Sequence, residues 1–561
     1  MKPNLIKVYF GLIILFIINS SFGQPTIDKT QKLATTCKIW GFLKYYHPNV
    51  ASGKYDWDEQ LFDILSKVDS VKTKKELSLV YESWINSFGE VKKNDVSLEN
   101  NTVKYFYKNL DLNWIEETTF FSKEVSSKLM FIKKNRWQGI QYYVTVDFED
   151  GFAFPVKIQI ENRLRNLKWS DLNFRMVTLF RFWNIINYFY PYKYLMDQNW
   201  NSALIKFLPK FINVKTEKDF HTAILEIAAS LNDTHVSYFP EYDGMPKLGS
   251  YFLPANYKFI DNKMVITKIL NDSMAKRNNI KLGDAITQID NQYIVDFINE
   301  NRTTISASNN ASYLKELKFK ISPFLNDTIK VEFLRDSKKF NQTIRLYNWH
   351  DFNRDRNLKK TGKYEQLENN IGYINLVRIK NTDLESIFSI VKNTQAIIID
   401  LRDYPTISEN DLLPYFVRKD KVFVKQTYAD TMYPGRFVFE EDFGGVPAFE
   451  NNSKYSGKVI LLVDEATHSH AEWLAMCFKT VKNTTIIGSQ TSGADGGVSS
   501  YEITNPFKIS FTGKGVYYPN GQETQRVGIV PDIIISPTIK GITDGKDEVL
   551  ERALQFIVTG K

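Results

Sequence analysis

Cysteine and histidine are scarce in this chain. Its 561 residues include two cysteines, Cys37 and Cys477, and six dispersed histidines. Two thiols exclude a disulfide scaffold, and the residues alone leave open whether they pair or stay buried. Without a Cys/His cluster a structural zinc site is not expected, and no cofactor or metal is implied. Long runs of one charge are missing too. The formal charge is +8, lysines are interspersed with acids, and no basic block suggests nucleic acid as a partner. Beyond residue 18 no apolar run is long enough to span a bilayer. No paired-carboxylate constellation stands out, which leaves a carbohydrate-active protein unsupported.

What is present is a globular composition, 43% hydrophobic and 14% aromatic. The length predicts several domains around separate cores. At the amino terminus, Lys2 and Lys7 precede an apolar run, Val8 to Ile18, followed by Asn19-Ser20-Ser21-Phe22-Gly23. That order of positive charge, apolar stretch and small-residue exit reads as a secretory signal peptide over 1–23, so the protein is expected to be exported to periplasm or medium; the alternative is an uncleaved amino-terminal anchor, for which the run is short. No Cys at the exit supports a lipid anchor.

Residues 24–97 read as helical, with an aromatic stripe through Trp40, Phe42 and Tyr45 broken at His47-Pro48. The pattern returns 143 residues later: Trp40 matches Trp183, Tyr45 matches Tyr188, Pro48 matches Pro191 and Trp57 matches Trp200. A duplicated helical module over 24–97 and 166–245 follows, with too few copies for a solenoid. Only the second copy ends in Asn232-Asp233-Thr234-His235. A shared fold therefore does not demand His235. Between the copies, alternation from Tyr142 to Phe148 and from Phe152 to Ile160 around Glu149-Asp150-Gly151 predicts a hairpin in a small β domain over 98–165. Residues 246–348 predict a further β domain, with a strand at Lys263–Ile269 and a hairpin through Gly283-Asp284 and Ile289-Asp290-Asn291.

From 360 to 561 strands and helices alternate, as in an α/β core. Its centre is Lys458 to Thr480. The run Val459-Ile460-Leu461-Leu462-Val463 reads as a strand buried on both faces, and Leu474, Ala475 and Phe478 recur at helical spacing. Thr467-His468-Ser469-His470 then falls at a strand-to-helix turn. There an α/β sheet presents reactive groups beside free helix N–H groups. Ser469 is a candidate nucleophile; the plain alternative is that Thr467 or Ser469 caps the helix.

The Gly-Asp hairpin of 246–348 resembles PDZ domains, which implies a peptide ligand paired with a strand edge. With Asp400-Leu401-Arg402, Thr467 to Glu472, Gly488 to Gly493 and Gly528 to Asp532, the chain resembles secreted serine peptidases related to C-terminal (tail-specific) processing proteases and to the tricorn protease core. The resemblance covers roughly residues 166–545. It implies a multidomain α/β fold: a crotonase/ClpP-like core with a helical cap and a PDZ-like insert. It also implies cleavage of peptides or unfolded protein tails through an acyl-enzyme. In the processing proteases a Lys lies 25 residues after the Ser; Ala494 stands at that position here and cannot take a proton. The tricorn type instead uses a cap His preceded by a hydroxyl residue, which Thr234-His235 matches. The resemblance thus makes His235 the general base, the backbone N–H groups of His470 and Thr406 the oxyanion donors, and Glu523 or Gln525 the group that orients His235. The family's Gly-Gly after Asp-Leu-Arg is absent, Thr406-Ile407 standing in that region. His468 and His470 are alternative bases, though a neighbour in a turn reaches the adjacent Oγ poorly. The competing function is a non-catalytic peptide-binding protein on a protease fold.

Overall fold

The computed structural model describes residues 27–94, 102–149, 152–160, 167–240, 249–348, 350–351, 364–417, 421–440, 445–446, 454–504 and 507–561. The expected signal peptide and the Asp150-Gly151 turn lie outside them. The duplicated helical module supplies α1 (Lys29–Tyr46), α2 (Trp57–Ser70) and α3 (Lys74–Ser87) in its first copy and α4 (Leu172–Phe189), α5 (Trp200–Ile212) and α6 (Glu217–Ala229) in its second. Their starts are set locally. Asp28 and Asp56 accept from first-turn N–H groups, and Thr73 with Glu76 forms a capping box that Thr216 with Asp219 repeats. The tryptophans fix how the helices pack. Trp40 Nε1 donates to the Trp57 carbonyl at 3.1 Å and Trp57 Nε1 to the Trp40 carbonyl at 3.2 Å. Trp183 and Trp200 make the same reciprocal pair at 2.8 and 2.9 Å.

The central helices α1 and α4 pack closely where Gly41 faces Asn184. A Cβ at Gly41 would stand 1.8 Å from Asn184 Oδ1, so this crossing requires glycine. Asn184 Nδ2 reaches the Cys37 carbonyl at 3.1 Å. Cys37 and Cys477 are both buried and free, in different cores.

Two buried histidines make this module acid-sensitive. His47 and His221 are 0% and 2% exposed, and burial pushes each from 6.5 to about 4. Above pH 6.5 both are neutral in either state. Below it, the unfolded chain binds protons that the fold excludes, so stability falls on acidification through pH 6.5 toward 4. Each histidine is expected to contribute a loss of about 1.4 kcal/mol per pH unit in that window. The thermal midpoint should drop from pH 6.5 to 4.5, less steeply when either histidine is replaced by glutamine.

In the segment expected to be a small β domain the described strands are two residues long, Val144–Thr145 pairing with Lys157–Ile158 and Phe148–Glu149 with Phe152–Ala153, and they accompany a helix at Lys123–Lys134. Tyr105 and Phe106 pair with Val438 and Phe437, extending a four-stranded sheet of the carboxy-terminal third. The hairpin is present in short form, with Phe148 opposite Ala153 and Val144 opposite Ile158.

The middle segment forms an antiparallel sheet of β1 (Ala255–Ile260), β2 (Lys263–Ile269), β3 (Ala285–Ile289), β4 (Thr328–Arg335) and β5 (Lys338–Arg345), in spatial order β5-β4-β3-β2-β1, with Gln292–Tyr293 added beside β3. Helix α7 (Asn310–Ile321) packs on it through Tyr313, Leu317 and Ile321.

The last third is built on β6 (Tyr364–Leu367), β7 (Ile371–Asn375), β8 (Ala396–Asp400), β9 (Lys458–Val463), β10 (Thr484–Gly488) and β11 (Ile533–Ile534), adjacent in that order. β6 is antiparallel to β7 and every other neighbouring pair is parallel. Alternation divides the central strands between two cores. Ile397, Ile399, Val459, Leu461 and Val463 join the core of helix α8 (His470–Phe478). Ile398, Ile460 and Leu462 meet Val549, Ala553 and Ile557 of α9 (Glu548–Thr559). The carboxyl ends of β8, β9 and β10 therefore open on one edge, where parallel sheets place their ligands.

Candidate active site

Ser469 sits between β9 and α8 with φ of 52° and ψ of −115°. A positive φ at a non-glycine residue is strained and persists only when its surroundings over-determine it. Here they do. Ser469 N–H points at the Ala494 carbonyl, 3.1 Å away, and at Glu472 Oε2, 3.3 Å away. Glu472, 1% exposed, also accepts from Gly493 N at 2.8 Å, from Ala494 N at 3.1 Å and from the Thr491 hydroxyl. One buried carboxylate thus ties the serine turn to the loop 491–494. Gly528 packs beside it, where a Cβ would fall 2.3 Å from Thr491 Oγ1. Thr467 does not cap α8. Its hydroxyl donates to the Leu401 carbonyl at 2.8 Å and accepts from Asp464 N at 3.1 Å. Glu472→Gln is expected to lower stability by about 1–3 kcal/mol, because one oxygen acceptor is lost among four donors. Denaturant unfolding measures it.

His235 lies at the end of the second helical copy. Its Nδ1 is 2.9 Å from Thr512 Oγ1, and that hydroxyl donates to Asp233 Oδ1 at 2.9 Å. A hydroxyl that gives its proton to Asp233 has only lone pairs for the imidazole. His235 must then donate from Nδ1, leaving Nε2 as the free base. Asp233 is fully buried and also accepts from Thr512 N at 2.8 Å, His235 N at 3.1 Å and Gln525 Nε2 at 3.2 Å. The group that holds His235 is therefore Thr512 backed by Asp233.

Of the two residues expected to orient His235, neither touches it. Glu523 pairs with Lys108 at 3.0 Å and accepts from the Tyr194 hydroxyl at 2.9 Å, turned toward the small four-stranded sheet. Gln525 contributes one step back, through Asp233 and Ser308. Thr234 does not touch the ring either, its hydroxyl 3.0 Å from Ser308 Oγ and accepting from Ser308 N at 2.9 Å. Asp233 stands inside the Asn232-Asp233-Thr234-His235 string and was overlooked. An acid two residues from a candidate base was the available signal.

His235 and His468 rings lie 4.9 Å apart between centroids, tilted by 40°, which brings His235 over the serine turn. Among the described residues no hydrogen bond joins Ser469 to either ring. Burial lowers the His235 pKa, Asp233 opposing and Lys315 adding to the fall. Burial, then Lys315 and His235, pushes His468 to about 2. Both rings are neutral at pH 7. A rate that needs His235 as base should rise along an acid limb centred below pH 6.5, and a limb centred above 6.5 would contradict this arrangement.

His470 is engaged elsewhere. Its Nε2 is 2.8 Å from the Ile407 carbonyl, clasping the segment after β8 to the start of α8. That clasp brings Thr406, exposed and next to Ile407, alongside the α8 amino terminus. Ala494 is fully buried in the loop that holds Ser469. Asp400-Leu401-Arg402 is a structural element. Arg402 Nε and Nη2 grip Asp400 at 3.0 and 2.7 Å while Nη1 and Nη2 reach Asp547 of the α9 cap, both at 2.8 Å. The middle sheet also bears on the site. Lys258 of β1 pairs with Asp464 at 2.7 Å and Glu465 at 2.9 Å, and Lys315 of α7 donates to Ser492 Oγ at 3.1 Å. Among the described residues no group of three or more His, Cys, Asp or Glu could hold a metal ion, and no helix is long and apolar enough to cross a membrane.

Residues 370–535 match the model of peptidase family S41. The tricorn protease of Thermoplasma volcanium is 22% identical over 364 residues, covering 61% of this chain and 32% of its own length. The chain thus spans about a third of that relative. Among solved structures, mature CPAF complexed with lactacystin superposes with a TM-score of 0.54 at 12% identity, over 70% of this chain and 99% of that one. A putative peptidase from Parabacteroides merdae gives 0.44 at 14% identity, over 70% and 98%. The CPAF likeness shows the fold: multidomain α/β.

Proposed function

From the match of residues 370–535 to peptidase family S41 we propose that the chain is a serine-type endopeptidase acting on peptides or unfolded protein chains. The observation that carries the reading is the Asp233–Thr512–His235 chain of hydrogen bonds, which presents a neutral imidazole with a free Nε2 over the strained Ser469 turn. Ser469 Oγ attacks the scissile carbonyl as His235 Nε2 takes its proton. The backbone N–H groups of His470 and Thr406 receive the oxyanion. His235 then protonates the leaving amine, and water, activated by the same imidazole, hydrolyses the acyl-enzyme. The Ser469–His235 bond forms when substrate closes the gap, since catalytic bonds often tighten only in the bound complex. The middle β domain acts as a PDZ-like module that presents the chain to be cut. Export through the 1–23 leader places the enzyme outside the cytoplasm.

Hydrolysis of unfolded casein and of extended peptides by the purified protein tests the reading, with cleavage expected. The second reading, a non-catalytic peptide-binding protein, has in its favour Ala494 at the lysine position and the missing Ser469–His235 bond. A folded protein that leaves every such substrate intact would select it.

A further inference from the structure

The duplicated helices pair crosswise. At positions 143 residues apart, Arg181 of α4 corresponds to Lys38 of α1, and Asp58 of α2 to Asn201 of α5. Arg181 and Asp58 form an ion pair buried to 4% and 1% exposure. At the matching place in the other half the acid has become an amide. Lys38 has no ion-pair or hydrogen-bond partner among the described residues, only the Trp114 ring 5.9 Å away. Asn201 turns its Nδ2 to Asp111 Oδ2 at 2.7 Å, and its buried Oδ1 has no partner.

A cavity of about 200 Å³ opens at that place, lined by Lys38, Asn201, Trp114, Phe120, Phe121 and Ile205. The twin positions explain the space. Ile205 stands where the first copy has Phe62, and Ala34, also in the lining, stands where the second has Val177. Burial lowers the Lys38 pKa, with Asp111 and Glu117 opposing. The nearby Lys193 ammonium is bonded to the Asn187 carbonyl at 3.0 Å and Oδ1 at 2.8 Å, and Glu117 stays on the exposed rim.

We infer that this cavity is a binding site for the carboxy-terminal residue of a peptide with an apolar or aromatic side chain. The ligand carboxylate pairs with Lys38 as the Asp58 carboxylate pairs with Arg181 in the other half. The ligand's last amide N–H donates to Asn201 Oδ1. Its side chain enters among Trp114, Phe120 and Phe121. The same carboxylate, amide and ring are offered by a free N-acyl amino acid, so the probes must separate the two sources. The site is distinct from Ser469 and is tested in Ser469→Ala protein, so binding and hydrolysis succeed or fail independently.

The experiment is calorimetric titration of full-length Ser469→Ala protein with N-acetyl-phenylalanine, its carboxamide, 3-phenylpropionate and a pentapeptide ending in phenylalanine. The acid is expected to bind at least about tenfold tighter than the carboxamide, as loss of one charge-assisted contact predicts. Phenylpropionate, which has no N–H for Asn201, should be weaker than the acetylated amino acid. Tighter binding of the pentapeptide that is lost in Asn201→Asp identifies a peptide end as the source at this cavity, and binding confined to the small acid overturns the peptide assignment. Asn201→Asp restores the twin's acid. Because it also sets a carboxylate beside Asp111, the fold is checked by circular dichroism; the folded variant should not bind, while Lys38→Arg should retain binding. Equal binding of acid and carboxamide, unchanged binding in Asn201→Asp, or no binding of the acid by the folded protein overturns the proposal.

Discussion

Ser469→Ala is expected to lower kcat on a cleavable peptide by about 10³–10⁶, and His235→Ala by a comparable factor. The reason lies in how the two groups would act. The serine supplies the nucleophile, and the imidazole supplies the base without which a hydroxyl is a weak nucleophile at neutral pH. Because they work as one unit, the double variant should be no slower than the worse single one. KM should change little, since neither side chain carries the main binding energy. Folding should survive both changes. Ser469 is held through its backbone N–H, and Asp233 keeps its bonds from Thr512 and Gln525 when the His235 ring is gone. Loss of activity in Ser469→Ala alone would move the base from His235 to His468, whose ring lies against it.

Asp233→Asn should lower kcat by about 10²–10⁴ with the fold intact. An asparagine in that place offers an N–H₂ group where Asp233 accepts, so the Thr512 hydroxyl loses the partner that fixes its direction. It can then donate to His235 Nδ1, which moves the ring proton to Nε2 and removes the free base facing Ser469. Thr512→Val breaks the same chain at its middle link and should fall in the same range, whereas Thr512→Ser keeps the hydroxyl and should retain most activity. The effect should appear in kcat and in the pH profile rather than in KM, which separates orientation of the base from a general loosening of the site. Glu523→Gln should leave the rate within about twofold, as a surface salt bridge to Lys108 contributes little.

The strand-turn-helix that carries Ser469 was legible because its signals are local. A continuous apolar run gives β9, and Leu474, Ala475 and Phe478 give one buried face of α8. The group behind His235 was not legible, because the bond between Asp233 and Thr512 joins residues 279 apart and no spacing rule spans that distance. Glu523 and Gln525 were placed by resemblance, and side-chain direction separated them. Gln525 points inward to Asp233, Glu523 outward to Lys108. The hairpin at 148–153 was readable from its alternation, but the pairing of Tyr105 with Val438 depends on the folded layers meeting and left no trace in either segment.

Labelling of the intact protein with a serine-directed fluorophosphonate at pH 7.5, followed by mass mapping of the adduct, tests the central claim most directly. A single adduct on Ser469 is predicted, formed at least about a hundredfold more slowly in His235→Ala and in Asp233→Asn, as loss of a positioned base requires. A folded protein that takes no adduct on Ser469, or takes it equally fast in all three forms, would contradict a serine activated by His235.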